Sequence, residues 1–191
     1  MDDGTLKDFC AQGLSSNWQD PPSGKKFVSI IGTSSHPSYG GFAALDEDGS
    51  VATWGHVLVA VANTPSSIKE KLSEGVKYLL ATSGFLGAVM EDGSCIVWGP
   101  DGGGTVHVLN DGTIGTHLTH DVAHLVGSAS GFAALRHDGA VVSWGQLSNK
   151  VIDFNATELY ATKYVFFAIN ETRHFKCWAI VGSTQCSHLP N

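Results

Sequence analysis

The sequence predicts an all-β chain, a β-propeller-like array of about four blades built from three- to four-stranded antiparallel units, and two observations carry that expectation. The first is a hairpin signature. In Gly131-Phe132-Ala133-Ala134-Leu135-Arg136-His137-Asp138-Gly139-Ala140-Val141-Val142-Ser143-Trp144-Gly145, two apolar runs of strand length flank an Asp-Gly pair. Asp-Gly between apolar runs is among the strongest short-range hairpin signals, and it reads as a type I′ turn. The second is recurrence: Gly41 to Gly55 and Phe85 to Gly99 repeat the pattern, with Asp-Gly at Gly49, Gly93 and Gly139 and Trp-Gly at Trp54, Trp98 and Trp144. Successive tryptophans lie roughly 45 residues apart, a period typical of propellers, solenoids and other repeat arrays.

A fourth copy, Val165 to Trp178, keeps the tryptophan but has Asn170-Glu171-Thr172-Arg173 where the others have Asp-Gly. Glu and Thr accept positive φ poorly, so a longer or less regular loop is expected there. At the start, Asp3-Gly4-Thr5-Leu6-Lys7-Asp8-Phe9 matches only the turn and second strand, with Phe9 in the tryptophan position. The units divide as a half-unit at 1–26 and repeats at about 27–65, 66–110, 111–150 and 151–191 of one domain.

Taken in order, residues 10–26 are a polar connector punctuated by Pro21-Pro22-Ser23-Gly24. Phe27 to Gly32 is an additional strand before the first hairpin, with equivalents at Val76 to Ala81, Ala123 to Gly127 and Glu158 to Ala161. The first repeat then inserts a loop, Ser35-His36-Pro37-Ser38-Tyr39-Gly40. Length varies after each Trp-Gly, where an outer strand or loop would sit: a short helix beginning after Pro65, a glycine-rich loop from Pro100 to Gly104, and the segment Gln146 to Thr157. Insertions are tolerated on surfaces, so these segments mark the outer edge. Leu6 and Phe9 carry the repeat's apolar signature, so the half-unit is expected to join a terminal blade. Contact between the two chain ends, closing a small ring, is favoured over an open arc that dimerises.

Strands such as Phe132-Ala133-Ala134-Leu135 are apolar on both faces and need cover from both sides. Small residues let neighbouring sheets approach, and Trp54, Trp98, Trp144 and Trp178 are read as structural anchors filling the wider part of each junction.

Asp and Glu outnumber Lys and Arg by 18 to 11, for a formal charge of -7, which speaks against direct nucleic-acid binding. Val57 to Ala62 falls far short of the ~20 residues that span a bilayer. The acidic start Met1-Asp2-Asp3-Gly4 leads into no apolar segment. A cytoplasmic or nuclear location is the expectation. Cys10, Cys95, Cys177 and Cys186 include no Cys-x-x-Cys pair and are read as reduced, Cys95 and Cys177 as small buried hydrophobes.

No motif points to catalysis, a metal or a cofactor. His117, His120 and His124 have helical ligand spacing, but the repeat puts His124 in or beside a strand. Asp46-Glu47-Asp48 reads as a solvated turn, and Ser23-Gly24-Lys25-Lys26 as a loop before a strand rather than a phosphate loop. Asn155-Ala156-Thr157 and Asn170-Glu171-Thr172 fit the glycosylation sequon, which matters only in a secretory context.

The repeats resemble those of the regulator of chromosome condensation family, whose units carry a Gly, a small-residue strand, Asp-Gly, a β-branched residue and Trp-Gly. The resemblance covers residues 27–178 and the half-unit at 3–10. It implies a β-propeller, commonly of seven blades, used as an interaction platform. The best-known member is a nucleotide-exchange factor for a small GTPase that binds chromatin, others sit in ubiquitin ligases, and bacterial relatives include a propeller that inhibits β-lactamase. This chain lacks the Gly-Gln-Leu-Gly that often follows Trp-Gly. The expected function is a non-catalytic module that binds a protein partner through propeller loops, with His36, Pro37 and Tyr39 as candidate contacts and self-association through terminal blades as a further expectation. Nucleotide exchange on a GTPase and carbohydrate recognition are the alternatives.

Overall fold

In the computed structural model the described residues are 18–19, 22–33, 40–56, 66–100, 106–108, 116–129, 131–145 and 150–179. They form four antiparallel sheets, one per repeat. The first repeat contains β1 (Trp18–Gln19), β2 (Phe27–Gly32), β3 (Gly41–Asp46) and β4 (Val51–His56), followed by the short helix α1 (Ser66–Lys71). The second contains β5 (Val76–Ala81), β6 (Leu86–Met90), β7 (Cys95–Pro100) and β8 (Val106–Val108). The third contains β9 (Val122–Gly127), β10 (Gly131–Arg136), β11 (Ala140–Gly145) and β12 (Lys150–Asp153), and the fourth β13 (Ala156–Ala161), β14 (Val165–Asn170) and β15 (Phe175–Ala179).

The four expected inner strands are β2, β5, β9 and β13, and outer strands follow the tryptophan strand in the second and third repeats, as β8 and β12. In the first repeat the outer strand is β1, which precedes the inner strand in sequence and pairs Trp18 with His56 and Gln19 with Gly55. Part of the expected connector therefore completes a sheet. The half-unit at residues 3–9 lies outside the described residues.

The chain divides into two compact bodies. The first holds the first two sheets; the second holds the third and fourth, together with Asp92–Ile96 at the tip of the second hairpin. In the first body β5 packs on β2 and β3, and Ile68 and Leu72 of the helix segment are buried. In the second body the layer between sheets is Ala133, Leu135 and Val141 against Leu159, Phe166 and Ala168. The small residues expected to permit close approach, Ala43, Ala44, Ala88, Ala133, Ala134 and Ala168, are fully buried.

The hairpins are present, but the turn is not the expected type I′. That turn needs positive φ at both central residues, whereas Gly49, Gly93 and Gly139 have φ of 81°, 77° and 81° and the preceding aspartates are not in that region. Each loop has three residues: in the first, the Asp46 N–H donates to Ser50 C=O at 2.8 Å and the Gly49 N–H to Asp46 C=O at 3.0 Å. This is a type I turn followed by a left-handed glycine. The aspartate stabilises it by accepting the N–H two residues on, from Ser50 at 2.9 Å, Ser94 at 2.8 Å and Ala140 at 3.0 Å. That backbone donor, with Arg136 beside it, holds the Asp138 carboxyl below the usual carboxylate range.

The expected irregular fourth turn is likewise absent. Arg173 occupies the left-handed position at φ 64°, its N–H donates to Asn170 C=O at 3.0 Å, and Asn170 N–H donates to His174 C=O at 3.0 Å. The same loop is kept because Asn170 Oδ1 also accepts the His174 N–H, at 2.9 Å. A non-glycine residue in this region costs about 1–2 kcal/mol, and the exposed Arg173–Glu158 pair at 3.3 Å recovers little. Arg173→Gly is therefore expected to raise stability by about 0.5–1 kcal/mol, once glycine's greater chain entropy is subtracted. An unchanged or lower urea midpoint would contradict this.

Within each body the turn glycines Gly49 and Gly139 are also joints to the next sheet. The carbonyls of Gly49, Gly93 and Gly139 accept the N–H groups of Val76, Val122 and Ala156 at 3.0, 2.8 and 2.8 Å. The residue before each of those strands, Gly75, Asp121 or Asn155, is itself left-handed, at φ 70°, 68° and 50°. A Cβ on Gly139 would lie 2.8 Å from the Asn155 Cα, so glycine is required by contact as well as by φ. Among the described residues no sheet follows the fourth repeat, and there the position carries Arg173.

Cys95 is buried and takes part in no disulfide, as expected. Cys177 differs: it is disulfide-bonded, with its partner outside the described residues, and it is only half-buried. The reduced reading fails here because disulfide pairing is set by three-dimensional proximity and leaves no local spacing signal.

Candidate functional site

The first repeat is set apart by the exposure of its inner strand. Register places Ile30 opposite Ala44 and Gly32 opposite Phe42, with Phe42 opposite Trp54. Directly paired residues share a face and alternate positions return to it, so Ile30, Phe42, Ala44 and Trp54 lie on one side of the sheet. Ile31, Ala43 and Thr53 lie on the other.

The same register identifies equivalents elsewhere: Ile30 corresponds to Leu79, Leu125 and Leu159, which pair with Ala88, Ala134 and Ala168. Those three leucines are at most 9% exposed, whereas Ile30 is 45% exposed. Phe42 corresponds to Phe132 and Phe166, which are at most 1% exposed, and is itself 37% exposed. Within the second body the contact of β13 with β9 and β10 buries Leu159 and Phe166, which lie in the layer against Ala133, Leu135 and Val141. In the first repeat β5 packs on β2 and β3, and Ile30 and Phe42 nevertheless remain exposed. Its face keeps the side chains of a sheet-to-sheet junction.

The face is also preorganised. The Trp54 ring stacks between Phe42, at 5.6 Å and 19°, and Phe27, at 5.9 Å and 30°. Stacked aromatic pairs hold area in a fixed orientation, so little side-chain entropy is left to lose on docking. At its base Lys25 Nζ bonds the buried Asp46 carboxylate at 2.7 Å and lies 3.5 Å from Asp48. Hydrogen bonding to Asp46 first, and the nearby negative charge, raise the Lys25 pKa. The expectation of a wholly solvated acidic turn thus fails at Asp46, which is desolvated and paired.

The loop singled out in the sequence lies between β2 and β3 in the chain. Residues 34–39, including His36, Pro37 and Tyr39, lie outside the described residues. The strand ends that carry them are fixed: Thr33 N–H donates to Gly41 C=O at 2.9 Å, and Gly41 N–H donates to Thr33 Oγ1 at 3.1 Å. Phe42 follows that clamp immediately. Sequence reasoning missed Ile30 and Phe42, which look like core positions in every repeat.

The remaining candidates separate. Trp98 and Trp144 are buried and Trp178 is half-buried, consistent with packing. His124 is exposed on β9, His120 Nδ1 bonds the Thr119 hydroxyl at 3.0 Å, and the His117 carbonyl accepts from Arg136 at 2.8 Å. Among the described residues no three His, Cys, Asp or Glu side chains gather in a metal-binding group, and no helix is long and apolar enough to cross a membrane.

No family model matches the chain, and no curated protein matches it. Solved structures do. Prp20p from Saccharomyces cerevisiae, described with its binding to Gsp1p and histones, superposes with a TM-score of 0.57 at 16% identity, over 84% of this chain and 46% of that one. The WD40 ectodomain of the Arabidopsis thaliana receptor kinase ACR4 gives 0.61 at 18%, over 86% and 61%. The ectodomain of the Physcomitrella patens receptor kinase CR4 gives 0.62 at 18%, over 85% and 44%. The chain spans about half the length of these structures.

Proposed function

We propose that this chain, which has the RCC1-like β-propeller fold, is a non-catalytic protein-interaction module whose partner docks on the apolar face of the first repeat. The observation that carries the reading is the exposure of Ile30 and Phe42 at positions the other repeats bury. Clustered exposed apolar side chains on a rigid sheet mark interaction sites, and aromatic anchors supply much of the binding energy in protein interfaces. Prp20p, one of the similar structures, is described with protein partners, which supports a protein as the ligand class.

The test is affinity capture by wild type and by Ile30→Asp and Phe42→Asp variants, with circular dichroism and a thermal midpoint to establish that each variant is folded. Ile30→Asp, the more exposed of the two, keeps a near-native midpoint; Phe42→Asp loses its stack on Trp54, lowers the midpoint and is assayed at a temperature where it remains folded. The reading expects a defined protein, a second copy of this chain included, to be retained by wild type and reduced at least tenfold by either substitution. Equal capture by folded variants would remove the face from consideration.

A further inference from the structure

We infer that Asn155 is a site of asparagine-linked glycosylation. Asn155-Ala156-Thr157 is a sequon, and both Asn155 and Thr157 are exposed in the folded chain. Asn155 sits in the turn before β13 at φ 50°, and its carboxamide makes no hydrogen bond among the described residues. It borders a polar cleft of about 440 Å³ lined also by His137, Asp138, Thr157 and Glu171. A sugar attached there has room and hydrogen-bonding neighbours, and its attachment disturbs no packing.

The compartment comes from a separate observation. Cys177 is disulfide-bonded, and disulfides form and persist in oxidising compartments, the secretory pathway foremost. Glycan transfer to asparagine belongs to that pathway. In the step, Asn155 Nδ2 attacks the anomeric carbon of a lipid-pyrophosphate-linked oligosaccharide. The N–C bond forms as the C–O bond to the pyrophosphate breaks, Nδ2 gives up one proton, and the lipid pyrophosphate leaves with the electron pair. Nothing is oxidised or reduced.

The second sequon is built differently. Asn170 is half-buried, and its Oδ1 accepts both the His174 N–H at 2.9 Å and the Thr172 hydroxyl at 2.8 Å to close the fourth turn. A glycan at Asn170 would load the turn that holds the hairpin, so the modification is assigned to Asn155 alone.

The experiment uses the protein isolated from its native cells with thiols blocked before lysis, treated with a glycan-releasing amidase that converts a glycosylated Asn to Asp, and mapped by peptide mass. The expected result is a mobility shift on treatment, Asp at 155, Asn retained at 170, and Cys177 recovered in a disulfide. Asn155→Gln expressed in the same cells should migrate with the treated wild type. Recovery of Asn155 as unmodified asparagine, or of Cys177 as a blocked thiol, would overturn the assignment.

Discussion

Replacing Gly139 by alanine is expected to destabilise the protein by about 2–5 kcal/mol, although it adds one methyl group. Two costs add. A left-handed backbone costs an L-residue about 1–2 kcal/mol, and Gly139 has φ 81°. The new Cβ would also lie 2.8 Å from Asn155 Cα, 3.0 Å from its carbonyl carbon and 3.2 Å from the Ala156 nitrogen. Those atoms are backbone and cannot rotate away, and overpacking of this kind costs about 1–3 kcal/mol. Gly49→Ala should cost less, since its nearest contact is 3.1 Å. Gly24→Ala isolates the conformational cost, because at φ 75° it meets nothing within 4 Å. Denaturant midpoints in the order Gly24→Ala above Gly49→Ala above Gly139→Ala are the expected outcome. Equal midpoints would mean that conformation alone requires these glycines.

Trp98→Ala and Trp144→Ala should each cost about 3–5 kcal/mol, the range for removing a large aromatic side chain from a packed interior. Both rings are essentially inaccessible to solvent, and Trp144 stacks on Phe132 at 5.7 Å. Trp178→Ala should cost less, because that ring is half-buried. The indole N–H groups of Trp98 and Trp144 are buried without a hydrogen-bond partner, a condition that itself costs free energy. Trp144→Phe should therefore be much milder than Trp144→Ala, since it keeps aromatic area and removes the unpaired donor. Near-native midpoints for both alanine variants would show that the tryptophans are not structural anchors.

Most of the fold was legible because each hairpin is a local event. Apolar strand runs, Asp-Gly and Trp-Gly all lie within fifteen residues of one another, and β5 occupies the expected span Val76–Ala81. Turn type was less legible. Asp-Gly fits two loops, and the choice rests on whether the aspartate enters the left-handed region or uses its carboxylate to bind the backbone two residues on. The joints carried a signal that went unread: Gly75, Asp121 and Asn155 are residue types that tolerate positive φ, and each stands one position before an inner strand.

The exposed face of the first repeat was not legible, and the loop named from the sequence lies outside the described residues. Ile30 and Phe42 have the same sequence character as the buried Leu159 and Phe166, because what distinguishes them is the sheet packed against the latter pair and not their own chemistry. The disulfide at Cys177 was hidden for the same reason.

The central claim, a protein partner docked on the first sheet, is tested most directly by amide hydrogen exchange of the protein alone and saturated with a captured partner. Exchange of backbone amides reports local opening and occlusion along each strand. The account predicts slowed exchange in β2 and β3, residues 27–32 and 41–46, with the fourth repeat's β14 and β15 unchanged. Protection confined to other repeats, leaving β2 and β3 as they were, would contradict it.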